Sequence, residues 1–356
     1  MATCDGCRNA EKAMMQGWLE RLFEVVSSIG AADILILPHN DPDPDAIASA
    51  VALRHLLAQG IGLSCRIGYG GIIGRAENKA LVRYLGQPLQ RLSSTDLSQV
   101  DVVALVDTQP GAGNNILPPG STVVAVFDHH PRREETAAAA FADVRSDVGA
   151  TSTMLLTYLL AANIEPDPPL ATALFYGIKT DTMGLGRGAG QADVEAYFYL
   201  QRRIDIQALV EIEHAQVPLE YFQGLDAALH AARIYDRVVL SYLGRMDRPD
   251  MAAEMADLLL RLEGIRWVMC TGAYKEDLLL SVRTDEQGEA GRLVQEIVGE
   301  WGSAGGHGTM SGGQVALRGE APELVAWHLE RRTLALLNIA PETPGRPIID
   351  RAPSCK

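Results

Sequence analysis

Between residues 39 and 45 the chain reads H-N-D-P-D-P-D, which sets His39 beside Asp41, Asp43 and Asp45 in one short turn. Like charges this close are costly unless protons or a cation neutralise them, and the simplest neutraliser is a divalent metal. Pro42 and Pro44 stiffen the turn, because proline fixes φ and brings no N–H. Further along, Asp107 ends V-D-V-V-A-L-V-D, Asp128-His129-His130 follow T-V-V-A-V-F, and Asp181 stands in G-I-K-T-D-T. One acidic residue after an apolar run is unremarkable. Three such runs, each ending in a side chain able to bind metal, point to a metal centre.

The elements that must position these residues follow from periodicity. Ile34–Leu37 reads as a buried strand, and Ala46, Ile47, Ala50, Val51, Leu53, Leu56 and Leu57 make the following stretch a helix. Leu63–Ile67, Val100–Asp107 and Thr122–Phe127 read as further strands. In an open α/β sheet the strand-to-helix turns lie at the carboxyl edge, where ligands bind. A parallel sheet would therefore bring His39, Asp107 and His129 to one edge. Met14, Trp18, Leu22, Val25 and Ile29 predict an amphipathic helix ahead of them. Gly149–Leu160 predicts a helix with Thr151–Thr153 as caps, and Leu170–Ile178 another that leads to Asp181. Gly68–Gly74 lacks the G-x-G-x-x-G spacing and reads as a mobile loop.

The second half starts afresh. Val238–Leu243, Trp267–Ala273 and Leu278–Val282 are strand-like; Met251–Leu262, Gly291–Val298 and Pro322–Leu337 are helix-like. The resulting division is an N-terminal helical lead (1–30), a parallel-sheet α/β domain (31–215), a linker helix (216–232), a second, smaller α/β domain (233–340) and an extended tail (341–356).

Composition narrows the classes. The 356 residues are 47% hydrophobic and 21% charged, with net charge −14. No apolar run reaches the ~20 residues of a membrane span. There is no basic-then-apolar leader, so a cytoplasmic location is expected. The scattered cysteines, Cys4, Cys7, Cys65, Cys270 and Cys355, fit a reducing compartment; Cys4 and Cys7 form a C-x-x-C without the further ligands that zinc needs. The acidic balance argues against long nucleic acid, whose phosphates call for many Lys and Arg. A short phosphorylated ligand stays compatible, because bound metal can reverse the local field.

H-N-D-P-D-P-D-A at 39–46, A-L-V-D-T around Asp107, D-H-H at 128–130, G-I-K-T-D-T at 177–182 and G-G-H-G at 305–308 together resemble the DHH phosphoesterase family. Within it the chain resembles the bacterial branch with a C-terminal G-G-H domain, which includes nanoRNases and phosphatases of 3′-phosphoadenosine 5′-phosphate. Ala48 departs from the pattern, standing where the family usually has glycine. The resemblance implies two divalent ions, manganese first, with magnesium or cobalt as alternatives. His39 and Asp43 would hold one, Asp45, His129 and Asp181 the other, and Asp107 would bridge them. Imidazole mixed with carboxylate suits manganese better than calcium or structural zinc. A hydroxide between the ions would attack phosphorus in line. His130 would face the phosphate and Asp128 would orient a neighbouring histidine. Arg283 in S-V-R-T, with Gly305, Gly306 and His307, would bind substrate phosphate, the second domain closing over it.

The implied activity is hydrolysis of short oligoribonucleotides (nanoRNA) or 3′-phosphoadenosine 5′-phosphate, with no membrane partner; the resemblance also allows a homodimer. Cleavage of linear or cyclic dinucleotides, pyrophosphatase or exopolyphosphatase activity, and a nucleotide-binding module without chemistry are the alternatives. Other polar residues have plainer readings: Asp41 as a solvated turn residue, Arg75, Lys79, Arg132 and Arg133 as surface charges, and His55, His214, His230 and His328 as ordinary helix residues. Lys179 could meet either substrate or a carboxylate.

Overall fold

A computed structural model describes residues 5–30, 34–93, 95–100, 102–286 and 290–349. The Cys4–Cys7 pair and Cys355 fall outside the described side chains. The chain divides into two compact units, Met1–Ala215 and Gln216–Lys356.

The first unit runs α1 (Asp5–Ser28), β1 (Ile34–Pro38), α2 (Pro44–Ile61), β2 (Cys65–Tyr69), α3 (Ala76–Tyr84), β3 (Leu89–Arg91), β4 (Val102–Val106), β5 (Thr122–Asp128) and β6 (Phe141–Val144). Then come α4 (Thr151–Ala161), α5 (Pro168–Asp181), α6 (Gln191–Gln201) and α7 (Ile206–Glu213). The strands form one sheet in the order β3-β2-β1-β4-β5-β6. Every pairing in it is parallel, as the sequence predicts. Strand order reverses between β1 and β4, and a crevice for ligand opens at the carboxyl ends of such strands. β1 and β4 are buried throughout, as strands covered on both faces must be. One face packs on α1, α2, α4 and α5 through Ile34, Ile36, Ala104, Val106 and Phe127. The other carries Leu35, Leu37, Val103, Leu105 and Val126 under the loops of Leu92, Leu97, Ile116 and Leu117.

Several expectations need correction. The N-terminal helix is no separate lead: Leu19, Leu22 and Val26 are buried in the main core, and Trp18 meets Phe141 edge-to-face at 5.6 Å. β3, α3 and β6 are absent from the sequence reading because they are short or mostly polar. Thr151–Thr153 do not cap α4; they lie inside it, and its N-cap is Ala150. The 68–74 loop is tied down, since Asp41 Oδ1 accepts the Ile72 N–H at 2.7 Å and Asp41 N–H donates to Gly70 O.

The second unit comprises α8 (Leu219–Ala231), β7 (Arg233–Tyr235), β8 (Val238–Arg245), α9 (Met251–Leu259), β9 (Trp267–Tyr274) and β10 (Asp277–Thr284). It continues with α10 (Ala290–Val298), β11 (Gly302–His307), β12 (Met310–Ala316), α11 (Pro322–Leu336) and β13 (Arg346–Pro347). The sheet order is β11-β12-β10-β9-β8-β7-β13, antiparallel except for β8 with β9. Helices α8 and α9 cover one face, α10 and α11 the other. The expected linker helix is thus part of this unit: Ala228 of α8 is buried, and its carbonyl accepts from Ser241 Oγ on β8. The tail, expected to be extended, pairs through β13 with β7. The glycine-rich 303–313 stretch lies in a hairpin of β11 and β12.

Candidate metal centre

The site lies where β1, β4 and β5 end. Proline ends β1 at Pro38, and Asp43 N-caps α2 by accepting Ala46 N–H at 3.0 Å, with Pro44 at the first helical position. His39 Nδ1–H donates to the Asn40 carbonyl at 2.7 Å. A carbonyl can only accept, so this bond fixes the tautomer and leaves Nε2 for a ligand. That Nε2 lies 3.8 Å from Asp43 Oδ1 and 3.5 Å from Asp107 Oδ2.

Asp107 follows β4 in a left-handed conformation, φ 57°. Strain of this kind clusters at functional positions. Its N–H donates to Phe127 O, which ties it to β5. While Oδ2 faces His39, Oδ1 faces His129 Nε2 at 3.4 Å. His129 Nε2 is also 3.3 Å from Asp181 Oδ2, at the end of α5. Two clusters result, His39–Asp43–Asp107 and Asp45–His129–Asp181, each with ligand atoms within 4.8 Å of one another. A third grouping joins Asp107, His129 and His130.

Asp45 is fully buried at the start of α2. Its Oδ2 accepts Thr151 N–H at 2.7 Å and its Oδ1 accepts Ser152 N–H at 2.8 Å. The N-terminus of α4, which has no side-chain cap of its own, is therefore capped from another helix. Thr151 Oγ1 donates to Asp107 Oδ1 at 3.0 Å, and Asp193 anchors the same helix start by accepting Gly149 N–H and Thr153 Oγ1–H. Gly177 lets α5 approach: a Cβ there would lie 2.6 Å from Ser152 Oγ and 3.0 Å from Asp45 Cα. Sequence reading missed Thr151, Ser152, Gly177 and Asp193 as parts of the site; only the polar T-S-T opening of an otherwise apolar helix hints at the first two.

The charges are interdependent. Burial raises the Asp45 carboxyl, and Asp107 and Asp181 push it further. Burial, then Asp43, lifts Asp181 to about 6. Burial opposes a charged His129, yet Asp181, Asp107 and Asp45 outweigh it and bring the imidazole to about 10. His39 is raised in the same way, against burial, by Asp107 and Asp43. Burial would raise Asp107, but His39, His129 and His130 hold it well below the usual carboxylate range. Among the described residues, buried His129 Nε2 has no hydrogen-bond partner despite these neighbours. An orphaned imidazole nitrogen facing carboxylates from two chain segments fits a divalent cation.

Beside the clusters, His130 Nδ1 lies 2.7 Å from Asp128 Oδ1. Lys179 takes the plainer of its two readings, pairing with Glu213 at 2.5 Å.

In the second unit Arg283, the expected phosphate anchor, is buried. Its guanidinium pairs with Asp257 and donates to Ser281 Oγ and Val282 O. The backbones of Arg283, Met310 and His307 lie abreast across β10, β12 and β11. Gly305 is open, since a Cβ there meets nothing within 4 Å; Gly306, φ 133°, has Ser311 and Met310 against it.

Known proteins share this architecture. Residues 33–178 match the profile described as DHH family, N-terminal domain. An uncharacterized protein of Methanocaldococcus jannaschii is 38% identical over 288 residues, 80% of this chain and 58% of the relative. The chain thus spans little more than half of that relative. A second uncharacterized protein of the same organism is 23% identical over 306 residues, 82% of this chain and 89% of the relative. Among solved structures, an exopolyphosphatase-related protein from Bacteroides fragilis superimposes with TM-score 0.67 at 16% identity, covering 92% of this chain and 98% of that one. RecJ in complex with Mn2+ from Thermus thermophilus gives 0.56 at 13%, covering 92% and 55%. At such identities the likeness establishes the fold.

Proposed function

From the match of residues 33–178 to the DHH family N-terminal domain, we propose that the chain is a phosphoesterase dependent on two divalent ions. The observation that carries the reading is Asp107: its two carboxylate oxygens face two separate ligand clusters. His39 and Asp43 would hold one ion, Asp45, His129 and Asp181 the other, with Asp107 serving both. Such a pair, when bound, supplies positive charge to a phosphoryl group and acidifies water. The chain's own residues do the positioning. Asn40 O and the α4 amides fix His39 and Asp45 before any ligand arrives, and His130, held by Asp128, would donate to a phosphoryl oxygen. Manganese is the favoured ion, since imidazole and carboxylate are mixed in the site.

The proposed substrates are short: oligoribonucleotides of a few bases, or 3′-phosphoadenosine 5′-phosphate. A net charge of −14 disfavours long polyanions. Gly305, Gly306, His307 and Arg283 are the proposed phosphate contacts of the second unit, with Asp257 setting the orientation of Arg283. The test is hydrolysis of a labelled five-nucleotide RNA, a dinucleotide and 3′-phosphoadenosine 5′-phosphate, each with manganese and with chelator. Metal-dependent release of mononucleotide or phosphate is expected. Turnover of pyrophosphate or polyphosphate alone would reassign the substrate, and tight nucleotide binding without turnover would leave a binding module.

A further inference from the structure

Two residues beyond Asp107, Gln109 is buried to 1% exposure and forms four hydrogen bonds with its side chain. Its Oε1 accepts Arg133 N–H at 2.9 Å and Thr136 Oγ1–H at 2.7 Å. Its Nε2 donates to Pro131 O at 3.1 Å and to Asp128 Oδ2 at 2.7 Å. The amide cannot be turned over. A backbone N–H can only donate and a backbone carbonyl can only accept, so Arg133 and Pro131 fix the amide from both ends. The group facing Asp128 is therefore a donor by construction.

Asp128 receives two more donors on Oδ1, His130 N–H at 3.2 Å and the His130 ring nitrogen Nδ1 at 2.7 Å. Asp128 Oδ1, already the acceptor for the His130 N–H, is placed to accept from the ring as well, which makes Nδ1–H the His130 tautomer and leaves Nε2 as the other nitrogen. Gln109 thus connects the loop after β4 to the loop after β5 and sets the carboxylate that aims His130.

We propose that Gln109 is a positioning residue of the phosphoesterase reaction, acting through Asp128 to fix the tautomer and direction of His130. This rests on the reading of the site given above. An apolar side chain here would leave Arg133 N–H, Thr136 Oγ1–H, Pro131 O and Asp128 Oδ2 without these bonds.

The test compares Gln109→Met, Asp128→Asn and Thr136→Val in the full chain. Thr136→Val removes one anchor of the amide and leaves the Asp128 contact in place. In protein with 15N-labelled histidine, recorded metal-free and with magnesium at a pH where His130 is neutral, wild type and Thr136→Val should show it as the Nδ1–H form alone. Gln109→Met and Asp128→Asn should populate the Nε2–H form. With a turned-over substrate, Gln109→Met should lower kcat about 10–100-fold, the usual cost of losing an outer partner. KM and manganese affinity should stay within about twofold, because no ligand is removed. In a His130→Ala background, adding Gln109→Met should cost less than about twofold, since the route through His130 is already gone. An unchanged tautomer in Gln109→Met overturns the proposal, as does an equal fold-loss in the His130→Ala background. If Gln109→Met does not fold, Gln109→Glu, which keeps the acceptor for Arg133 and Thr136 and removes the donor to Asp128, takes its place. A protein that shows the tautomer change yet turns over none of the substrates keeps the Gln109–Asp128–His130 linkage and loses both the phosphoesterase reading and the role in it.

Discussion

Asp107 has three demands on it: a left-handed backbone, contact with both ligand clusters, and a hydroxyl bond from Thr151. Asp107→Asn keeps the shape and removes the charge. Its kcat should fall by more than the roughly 10–100-fold of an outer-partner loss. Manganese should also cease to raise the melting temperature, which differential scanning calorimetry reads directly. In wild type, metal at about 100 times its Kd should add about 2.7 kcal/mol. The pH dependence has a definite sign. Without metal, His39 and His129 hold protons at neutral pH, His129 up to about 10. A ligand imidazole must be neutral, so manganese binding should release protons at pH 7 and tighten as pH rises. Calorimetric titration in two buffers of different ionisation enthalpy checks this. Proton stabilisation of metal-free protein through His129 runs the other way: complete below about 6.5, it is lost as pH climbs through about 10. Most of the clustered acidic and imidazole residues were legible because they ended apolar runs. Gln109 and Asp193 were not, because nothing in a lone polar residue of a turn says what it will touch.

Elements show the same division. The strands that carry ligands, β1, β4 and β5, are apolar enough to be read from sequence. β3 (L-Q-R) and β6 (F-A-D-V) are not, since tertiary pairing, not pattern, makes them strands. The G-G-H stretch gave no strand signal because glycine lacks the side chains that periodicity reads, yet its backbone pairs along all of β11. Packing between helices supplies a prediction here. Gly177→Ala places a methyl against Ser152 and the Asp45 backbone. Such overpacking costs about 1–3 kcal/mol. Because the contact is with Asp45 and the α4 start that holds it, manganese affinity should weaken along with stability. A denaturant titration and a metal titration of the same variant check both; a stability loss at constant affinity would separate α5 packing from the metal centre.

At the scale of the whole chain, the proposed metal ligands all belong to the first unit, and the second unit has its own pH response. Burial pushes Glu330 on α11 up to about 7, against the pull of Arg233. Folded protein therefore keeps a proton that unfolded chain gives up near 4.5. The associated stability is complete below that value and lost as pH rises towards 7. Glu330→Gln should flatten this dependence without altering the response to manganese. Calorimetric scans across pH 4–8, with and without metal, distinguish the two variables.

One feature of the first sheet bears on time as well as energy. The proposed ligands stand at residues 39, 43, 45, 107, 129 and 181, on segments that meet only when β1, β4 and β5 have paired and α5 has packed on α2. Pairings so distant along the chain form slowly, and interactions completed after the transition state leave the folding rate unchanged while slowing escape from the native state. Manganese should accordingly leave the refolding limb of the chevron in place and lower the unfolding limb. The cation would then act as a latch: late to arrive, and governing how long the folded molecule lasts.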